Sequence, residues 1–308
     1  MVSCRSHRSR SRRRMPELPD ITVYVEHLER RLAGQVLRRV TLANPFVLRT
    51  VQPPLEDAAG RRVTGVRRLG KRIVLALEDE RFLVIHLMIA GRLRWREAGA
   101  KAPGRITLAS FTFDDGVLYL TEAGSKRRAS LHYVAGEAAL AALDPGGLDV
   151  FALDAAQFAA RLAQGNHTVK RALTDPRLFS GIGNSYSDEI LHRARMSPFA
   201  LGAKLAPADA ARLHDAARQV LSEWTRRLRE ETGAAFPEKV TAFHDGMAVH
   251  GRYGKPCPDC GAPVQRIVYA DNEANYCARC QTNGKLLADR ALSRLLHDSW
   301  PRDIDQLL

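Results

Sequence analysis

A proline that directly follows a start-like methionine is the residue of this sequence with the clearest chemical potential. Pro16 lies between Met15 and Glu17. As a free chain terminus, proline is a secondary amine that can attack a sugar C1′ and form an iminium ion, which is covalent catalysis of the Schiff-base kind. The adjacent Glu17 would then move the protons. The alternative is structural, because proline suits the first turn of a helix and an acidic residue favours a helix N-terminus.

The residues in front of Met15 conflict with this chemistry, because they convert the Pro16 nitrogen into an amide. Residues 1–14 contain six arginines and no acidic residue, a composition that predicts disorder. They lack the apolar run of a secretory signal. We interpret them as an extension that is absent from the mature protein, so that translation starts at Met15 and removal of this methionine exposes Pro16. A basic arm that binds nucleic acid is the other interpretation.

Four cysteines near the C-terminus have the spacing of metal ligands. Cys257, Cys260, Cys277 and Cys280 form a C-x2-C-x16-C-x2-C pattern. Two tight pairs around a hairpin-sized spacer are typical of tetrahedral zinc bound by four thiolates. We predict one structural zinc, because four protein ligands leave no open position for catalysis. The alternative is two disulfides in an exported protein, and the sequence has no export signal.

Composition bounds the class of protein. The 308 residues suffice for two domains with a hydrophobic core. The formal charge is +13, and subtracting the six arginines of the extension leaves +7, which favours a polyanionic partner such as nucleic acid. No apolar run approaches the length of a membrane helix. We therefore expect a cytoplasmic protein with no membrane partner.

The order of predicted elements indicates an α+β fold. Apolar residues at helical spacing predict a helix over residues 19–33, which Gly34 ends. Short β-rich runs follow between Val36 and Leu120, and Asp114-Asp115-Gly116 is typical of a hairpin turn, so we predict an antiparallel sandwich or barrel. The remaining predictions are helices near 154–164, 168–174, 184–195 and 206–232, the zinc ribbon, and a terminal helix near 284–298.

These elements predict five units along the chain. They are a disordered extension (1–14), an N-terminal β-sandwich domain (15–145), which carries the candidate catalytic Pro16 and Glu17, a helical domain (146–235), a zinc finger (236–283), and a C-terminal helix and tail (284–308). Asp144-Pro145-Gly146-Gly147 is the predicted linker between the first two folded units.

A glycine-rich turn in the helical part is a candidate phosphate site. Gly181 and Gly183 allow a tight turn directly before Asn184, at which a new helix is predicted to begin. Free amide N–H groups and the helix dipole at such a position suit a phosphate. The alternative is an ordinary turn and helix cap.

In combination these motifs resemble the formamidopyrimidine-DNA glycosylase and endonuclease VIII family of base-excision repair enzymes, from Met15 to about Gln281. The segments that carry the resemblance are Pro16-Glu17-Leu18-Pro19, Gly70-Lys71-Arg72, Gly181 to Tyr186, and Cys257 to Cys280. They are similar to the family's N-terminal catalytic motif, hairpin lysine, helix–two-turn–helix motif and zinc finger, respectively. The resemblance implies an N-terminal helix with an antiparallel β-sandwich, then a helical domain and a β-hairpin zinc ribbon.

The resemblance also implies a function. The chain would be a monomeric bifunctional DNA glycosylase and AP lyase that removes oxidised bases from damaged DNA. Pro16 would attack C1′, Glu17 would act as general acid and base, and Lys71, which we expect to be exposed at a strand entry, would hold a phosphate. The DNA-binding residues would be Gly181, Gly183, Asn184, Ile89, Arg105, Arg128 and Asn272.

Some positions depart from the family pattern. Asn272 stands where the family's zinc finger usually has an arginine, which puts a second elimination in doubt. Ile89 occupies the position of a wedge residue that is often methionine, and Arg127 or Arg128 would supply the wedge arginine without a neighbouring phenylalanine. Two other functions remain open: a non-catalytic binder of damaged or abasic DNA, and a zinc-ribbon protein that acts on RNA or in transcription.

Overall fold

The computed structural model describes residues 15–124, 126–238, 244–269, 272–288 and 303–307. Its first element is helix α1, Leu18–Leu32, with Pro19 in the first turn and Arg30 and Arg31 in the last, where basic side chains complement the helix dipole. The predicted helix over 19–33 is therefore confirmed. Its apolar residues Ile21, Tyr24, Leu28 and Leu32 are fully buried.

Two four-stranded antiparallel sheets follow α1. The strands are β1 (Arg39–Leu42), β2 (Val63–Leu69), β3 (Arg72–Leu77), β4 (Arg81–His86), β5 (Gly91–Glu97), β6 (Thr107–Thr112), β7 (Gly116–Glu122) and β8 (Ser130–Ala135). The strand order is β1-β6-β7-β5 in one sheet and β2-β3-β4-β8 in the other. The predicted turn joins β6 to β7, because the Phe113 N–H donates to the Gly116 carbonyl at 2.8 Å. The antiparallel sandwich is confirmed.

The core of this half lies between the two sheets and under α1. Leu75, Ile85, Leu93, Phe111 and Leu131 are buried there with the apolar residues of α1. Alternation along each strand sends every second side chain to this core. Helix α2 (Glu137–Ala141) packs on β8.

A second core holds the helical half together. The helices are α3 (Ala155–Leu162), α4 (Val169–Thr174), α5 (Asn184–Arg193) and α6 (Pro207–Thr232), so the four predicted helices are confirmed. Phe158, Phe179, Tyr186 and Leu221 are buried in this core, and Leu18 of α1 is buried with them. The start of α1 therefore lies against the helical half rather than the sandwich.

The cysteine-containing segment forms a β-hairpin followed by a short helix. Strand β9 (Gln265–Tyr269) pairs with β10 (Asn272–Tyr276), and α7 spans Ala278–Thr282. The terminal helix predicted near 284–298 does not begin at 284, because Lys285 forms an isolated β-bridge with Asp303; residues 289–298 lie outside the described residues. In the described part of the chain, no helix has the length and apolar character to span a membrane.

Candidate active site

The carboxylate of Glu17 lies at the N-terminus of α5. The N–H of Gly183 and the N–H of Tyr186 donate to Oε2 at 2.7 and 3.2 Å, and the N–H of Ser185 donates to Oε1 at 2.8 Å. Glu17 is only 2% exposed. A helix N-terminus carries free N–H groups and positive partial charge, so it binds this anion firmly. The Gly183 N–H, which was predicted to bind a phosphate, therefore donates to the chain's own carboxylate.

Lys71 lies next to this carboxylate. It occupies the turn between β2 and β3 and is half-buried, so the expectation of an exposed lysine was wrong. A Cβ added to Gly183 would lie 2.5 Å from Lys71 Nζ and 2.5 Å from Glu17 Cδ. The absence of a side chain at Gly183 thus allows the amine and the carboxylate to approach the same backbone. Burial lowers the pKa of Lys71, while Glu17 and Asp20 oppose this shift.

Pro16 is buried immediately before these groups. The backbone that follows it is held on two sides. The Glu17 N–H donates to Asp20 Oδ2 at 2.8 Å, and the Leu18 N–H donates to the Gly181 carbonyl at 2.9 Å. Gly181 has φ +82°, a conformation that glycine adopts without strain. Glu17 and Lys71, predicted from separate motifs, therefore meet at Gly183, and Pro16 directly precedes Glu17 in the chain.

His86 is a candidate site residue that the sequence reasoning missed. It pairs with Arg72 across β3 and β4, one residue from Lys71. Burial, followed by the charges of Arg72 and Lys71, lowers the pKa of His86 to about 4, so the imidazole is neutral at physiological pH. Its Nε2 is buried and has no hydrogen-bond partner among the described residues. The sequence signal that could have found His86 is the predicted hairpin of the two β-rich runs around residues 78–80. Pairing of these two strands places His86 opposite Arg72, next to Lys71.

The predicted wedge loop and the predicted arginines lie at one end of a sheet. Ile89 is in the turn between β4 and β5, next to Met88, whose φ is +52°. This turn leads into Gly91, which pairs with Glu122 at the end of β7. In the following loop, the exposed Arg128 donates its N–H to Glu122 Oε2 at 2.8 Å.

An arginine of this loop contacts the segment that precedes β6. Arg127 Nη2 donates to the carbonyl of Arg105 at 2.9 Å, and the side chains of Arg105, Arg127 and Arg128 are exposed. The fold thus places three exposed cations at the end of the sheet from which the turn with Ile89 also extends. Their contact with DNA stays a prediction.

Asn184 fastens the zinc ribbon to α5. Its Nδ2 donates to the carbonyl of Glu273 in β10 at 2.8 Å. Asn272 begins β10, and its side chain lies outside the described part of the structure. The phosphate contacts of Asn184 and Asn272 stay predictions. The observed hydrogen bond shows that Asn184 also connects α5 to the zinc ribbon.

The four cysteine sulfurs form a cluster that fits zinc. All four lie within 4.8 Å of one another. Cys257 Sγ is 3.9 Å from Cys280 Sγ, and Cys260 Sγ is 3.4 Å from Cys277 Sγ. A tetrahedron with Zn–S bonds of about 2.3 Å requires sulfurs about 3.8 Å apart. His192 Nε2 lies 3.3 Å from Cys257 Sγ, a hydrogen bond that orients the thiolate from outside. The residues thus support one structural zinc, as predicted.

Replacement of one zinc ligand is expected to unfold the ribbon alone. Cys277→Ser should lose the zinc and weaken DNA binding sharply, because a ribbon of this size has no fold without its metal. The sandwich, with its own core, should stay folded. Metal analysis, a DNA-binding titration and near-ultraviolet circular dichroism measure the three effects. Zinc retention by Cys277→Ser would contradict the assignment.

Comparison with known proteins agrees with this geometry along the chain. Three family models match: the formamidopyrimidine-DNA glycosylase N-terminal domain over residues 15–127, the H2TH domain of the same enzyme over 144–232, and the zinc finger found in FPG and IleRS over 254–283. Their matched ranges contain, respectively, the Glu17–Lys71 pair, α5 and the four cysteines.

Similar proteins and structures include members of the same family. Formamidopyrimidine-DNA glycosylase of Thermus thermophilus is 34% identical over 284 residues, which covers 88% of this chain and 100% of that protein. An uncharacterized formamidopyrimidine-DNA glycosylase-like protein of Mycobacterium tuberculosis is 44% identical over 155 residues, covering 50% of this chain and 94% of the relative.

Solved structures show the same fold. Lactococcus lactis Fpg in complex with abasic-site DNA matches with a TM-score of 0.77 and 24% identity, over 86% of this chain and 99% of that one. The wild-type L. lactis Fpg in complex with oxidised-pyrimidine DNA matches with a TM-score of 0.76, also at 24% identity. Since the sequence match to the Thermus protein spans nearly the whole chain, this chain belongs to the formamidopyrimidine-DNA glycosylase family of base-excision repair enzymes.

Proposed function

We propose that this chain is a bifunctional DNA glycosylase and AP lyase, acting as a monomer on damaged DNA. It would remove oxidised bases through a Schiff base at Pro16 and then nick the strand by elimination. The observation that carries the proposal is the approach of Glu17, the residue directly after Pro16, to Lys71 at the N-terminus of α5. The chemistry requires that residues 1–15 be absent, so that the Pro16 nitrogen is an amine.

Base removal would begin with attack on the sugar. The damaged nucleotide leaves the stack, which costs a few kcal/mol and least for a damaged base. The Pro16 lone pair forms a bond to C1′ as the bond from C1′ to the base breaks, and the base departs with that electron pair and takes up a proton. Glu17 then takes up the proton that the Pro16 nitrogen loses and donates it to the ring oxygen. The nitrogen lone pair forms the C=N bond as the C1′–O4′ bond opens, and an iminium ion remains. Three backbone N–H groups hold the Glu17 carboxylate in place for this transfer.

Strand cleavage would follow from the same intermediate. The iminium ion acidifies the hydrogens on C2′, so that loss of one proton expels the 3′ phosphate and breaks the C3′–O bond. Lys71, whose pKa is lowered by burial, would hold a phosphate beside the lesion. Neutral His86 offers a further hydrogen bond on the same side. Hydrolysis of the iminium finally releases Pro16.

Glu17→Gln is expected to uncouple the two activities. Base removal needs proton transfer at the sugar oxygen, where general acid–base help contributes roughly 10²- to 10⁴-fold in rate. An abasic site already has a sugar that opens, so its cleavage should suffer less. Single-turnover rates on damaged-base and abasic duplexes measure the difference. Glu26→Gln, within the helix that Glu17 caps and ion-paired with Arg229, is the control. Equal losses on both substrates would contradict this role of Glu17.

Lys71→Ala is expected to change the salt dependence of binding. Each neutralised phosphate contributes a slope near −0.9 to log K against log salt in duplex DNA, so loss of this contact should make the slope shallower by about one unit. Turnover of damaged DNA should also slow. Affinity for an abasic-analogue duplex across several salt concentrations measures the slope. The exposed Lys101→Ala is the control, and a wild-type slope for Lys71→Ala would remove Lys71 from the DNA contacts.

A second candidate is non-catalytic binding of damaged or abasic DNA. It is favoured by the amide state of the Pro16 nitrogen in the 308-residue chain and by the burial of this residue. In this function the exposed Arg105, Arg127 and Arg128, together with the zinc ribbon, would still contact DNA. The trapping experiment described in the Discussion separates the two functions.

A further inference from the structure

A line of buried polar side chains extends from the first turn of α5 away from Glu17. Ser185 Oγ lies 2.9 Å from His250 Nε2, and His250 Nδ1 lies 2.6 Å from Asp188 Oδ2. Lys170 Nζ donates to Asp188 Oδ1 at 2.5 Å. Ser185, Asp188 and His250 are no more than 1% exposed, so every partner in this line must come from the protein.

The charge of Asp188 follows from its two neighbours, Lys170 and His250. Burial alone would raise the pKa of Asp188, but Lys170 and His250 outweigh it and lower the pKa. Asp188 is therefore an anionic acceptor, and His250 Nδ1 donates to it. The other ring nitrogen, Nε2, faces the Ser185 hydroxyl. Lys170 also donates to the carbonyl of Asn184 at 2.9 Å. Both ends of this series of hydrogen bonds, Ser185 and Lys170, therefore contact the first turn of α5.

The order serine, histidine, aspartate is that of a nucleophilic triad, but it cannot serve as one here. Ser185 is 1% exposed and lies inside the first turn of α5. A substrate carbonyl has no approach to its hydroxyl. The hydrogen bonds between these side chains therefore have a structural role. The candidate catalytic residue next to them is Glu17, whose carboxylate accepts the N–H of the same Ser185.

The histidine of this line belongs to the segment that leads into the zinc ribbon. The N–H groups of Ala248, Val249 and His250 all donate to the carboxylate of Glu189, at 2.7, 3.0 and 2.9 Å. The next N–H, of Gly251, donates to Asn275 Oδ1 in β10 at 2.7 Å. Helix α5 thus binds Glu17 at its N-terminus and the start of the ribbon along its side.

We propose that His250 is a positioning residue for Glu17. Through Asp188 and Ser185 it holds the first turn of α5, whose N–H groups set the position of the Glu17 carboxylate, and it links this position to the docking of the zinc ribbon. The inference rests on the proposed proton transfer by Glu17. A misplacement of about 1 Å can cost on the order of 10²-fold in rate, so a remote hydrogen bond has a measurable effect.

Two variants test this role. His250→Gln removes the imidazole between Ser185 and Asp188, and Ser185→Ala removes only the hydroxyl while it keeps the N–H that binds Glu17. Base removal should fall about tenfold in His250→Gln and less in Ser185→Ala. The Kd for lesion DNA, the zinc content and abasic-site cleavage should stay within about twofold. His214→Gln is the matched control, since His214 is also buried in the helical half and pairs with the Val150 carbonyl.

A double-mutant cycle shows whether the effect passes through Glu17. If it does, His250→Gln should cause no further loss of base removal in a Glu17→Gln background, because interacting residues are not additive. A full additional loss, or equal losses on both substrates with loss of zinc, would mean that His250 only supports folding. If His250→Gln does not fold, the same measurements on Ser185→Ala test the positioning role, and wild-type base removal by Ser185→Ala would then overturn it.

The outcomes separate this inference from the proposed function. Wild-type base removal by both His250→Gln and Ser185→Ala, with Glu17→Gln strongly impaired, would overturn the positioning role alone. Undiminished base removal by Glu17→Gln would instead overturn the proposed role of Glu17, and the inference with it.

Discussion

A protein that begins at Pro16 is expected to form a borohydride-stable covalent adduct with abasic-site DNA, whereas the 308-residue chain is not. Only the free terminus has a nitrogen lone pair that can attack C1′, because the nitrogen of an amide is delocalised and not nucleophilic. Borohydride reduces the iminium ion to a stable amine, so the adduct survives denaturing electrophoresis. This is an all-or-none effect, and it separates the catalytic function from simple DNA binding.

Two variants refine the trapping experiment. Pro16→Gly at the free terminus leaves a primary amine and should trap more weakly, and a tag in front of Pro16 should abolish trapping. Binding of abasic DNA by each form is the control, since the sandwich and the ribbon are unchanged. Undiminished trapping by the intact chain, with its Pro16 amide confirmed by mass spectrometry, would refute Pro16 as the nucleophile.

Gly183→Ala is expected to cause the second-largest loss. The new Cβ would lie 2.5 Å from both Glu17 Cδ and Lys71 Nζ, far inside van der Waals contact. Lys71 has a flexible stem that can move away, but Glu17 is bound by three N–H groups, including that of Gly183 itself. The carboxylate must therefore leave its position, and we expect base removal to fall by roughly 10² or more.

The loss in Gly183→Ala should be one of activity more than of backbone conformation. The backbone at Gly183 has φ −132°, which alanine also adopts. Abasic-site cleavage should fall too, because Lys71 is displaced as well. Gly65→Ala is the matched control, since its nearest contact is Glu29 at 3.8 Å. Near-wild-type rates in a folded Gly183→Ala protein would show that the observed approach of Glu17 and Lys71 is not needed for catalysis.

The sequence by itself determined those parts of this protein that have local signals. The 3.6-residue period of α1 and the turn at 114–116 are properties of neighbouring residues, so their predictions agreed with the structure. The zinc site was predictable for the same reason, because each cysteine pair lies within one turn and the metal imposes the rest. The resemblance to a known family also required only motifs and their order, and the comparisons confirmed it.

The tertiary structure decided which groups meet. Glu17 and Gly183 are 166 positions apart. No periodicity or spacing in the sequence predicts that the Glu17 carboxylate binds the helix N-terminus that was expected to bind a phosphate. Lys71 was expected to be exposed, and it became half-buried because a glycine from the other half of the protein leaves room for its amine. His86 and the line from Lys170 to Ser185 depend on strand pairing and on the docking of the ribbon. Such contacts follow from the packing of separate cores against each other, which no local segment of sequence specifies.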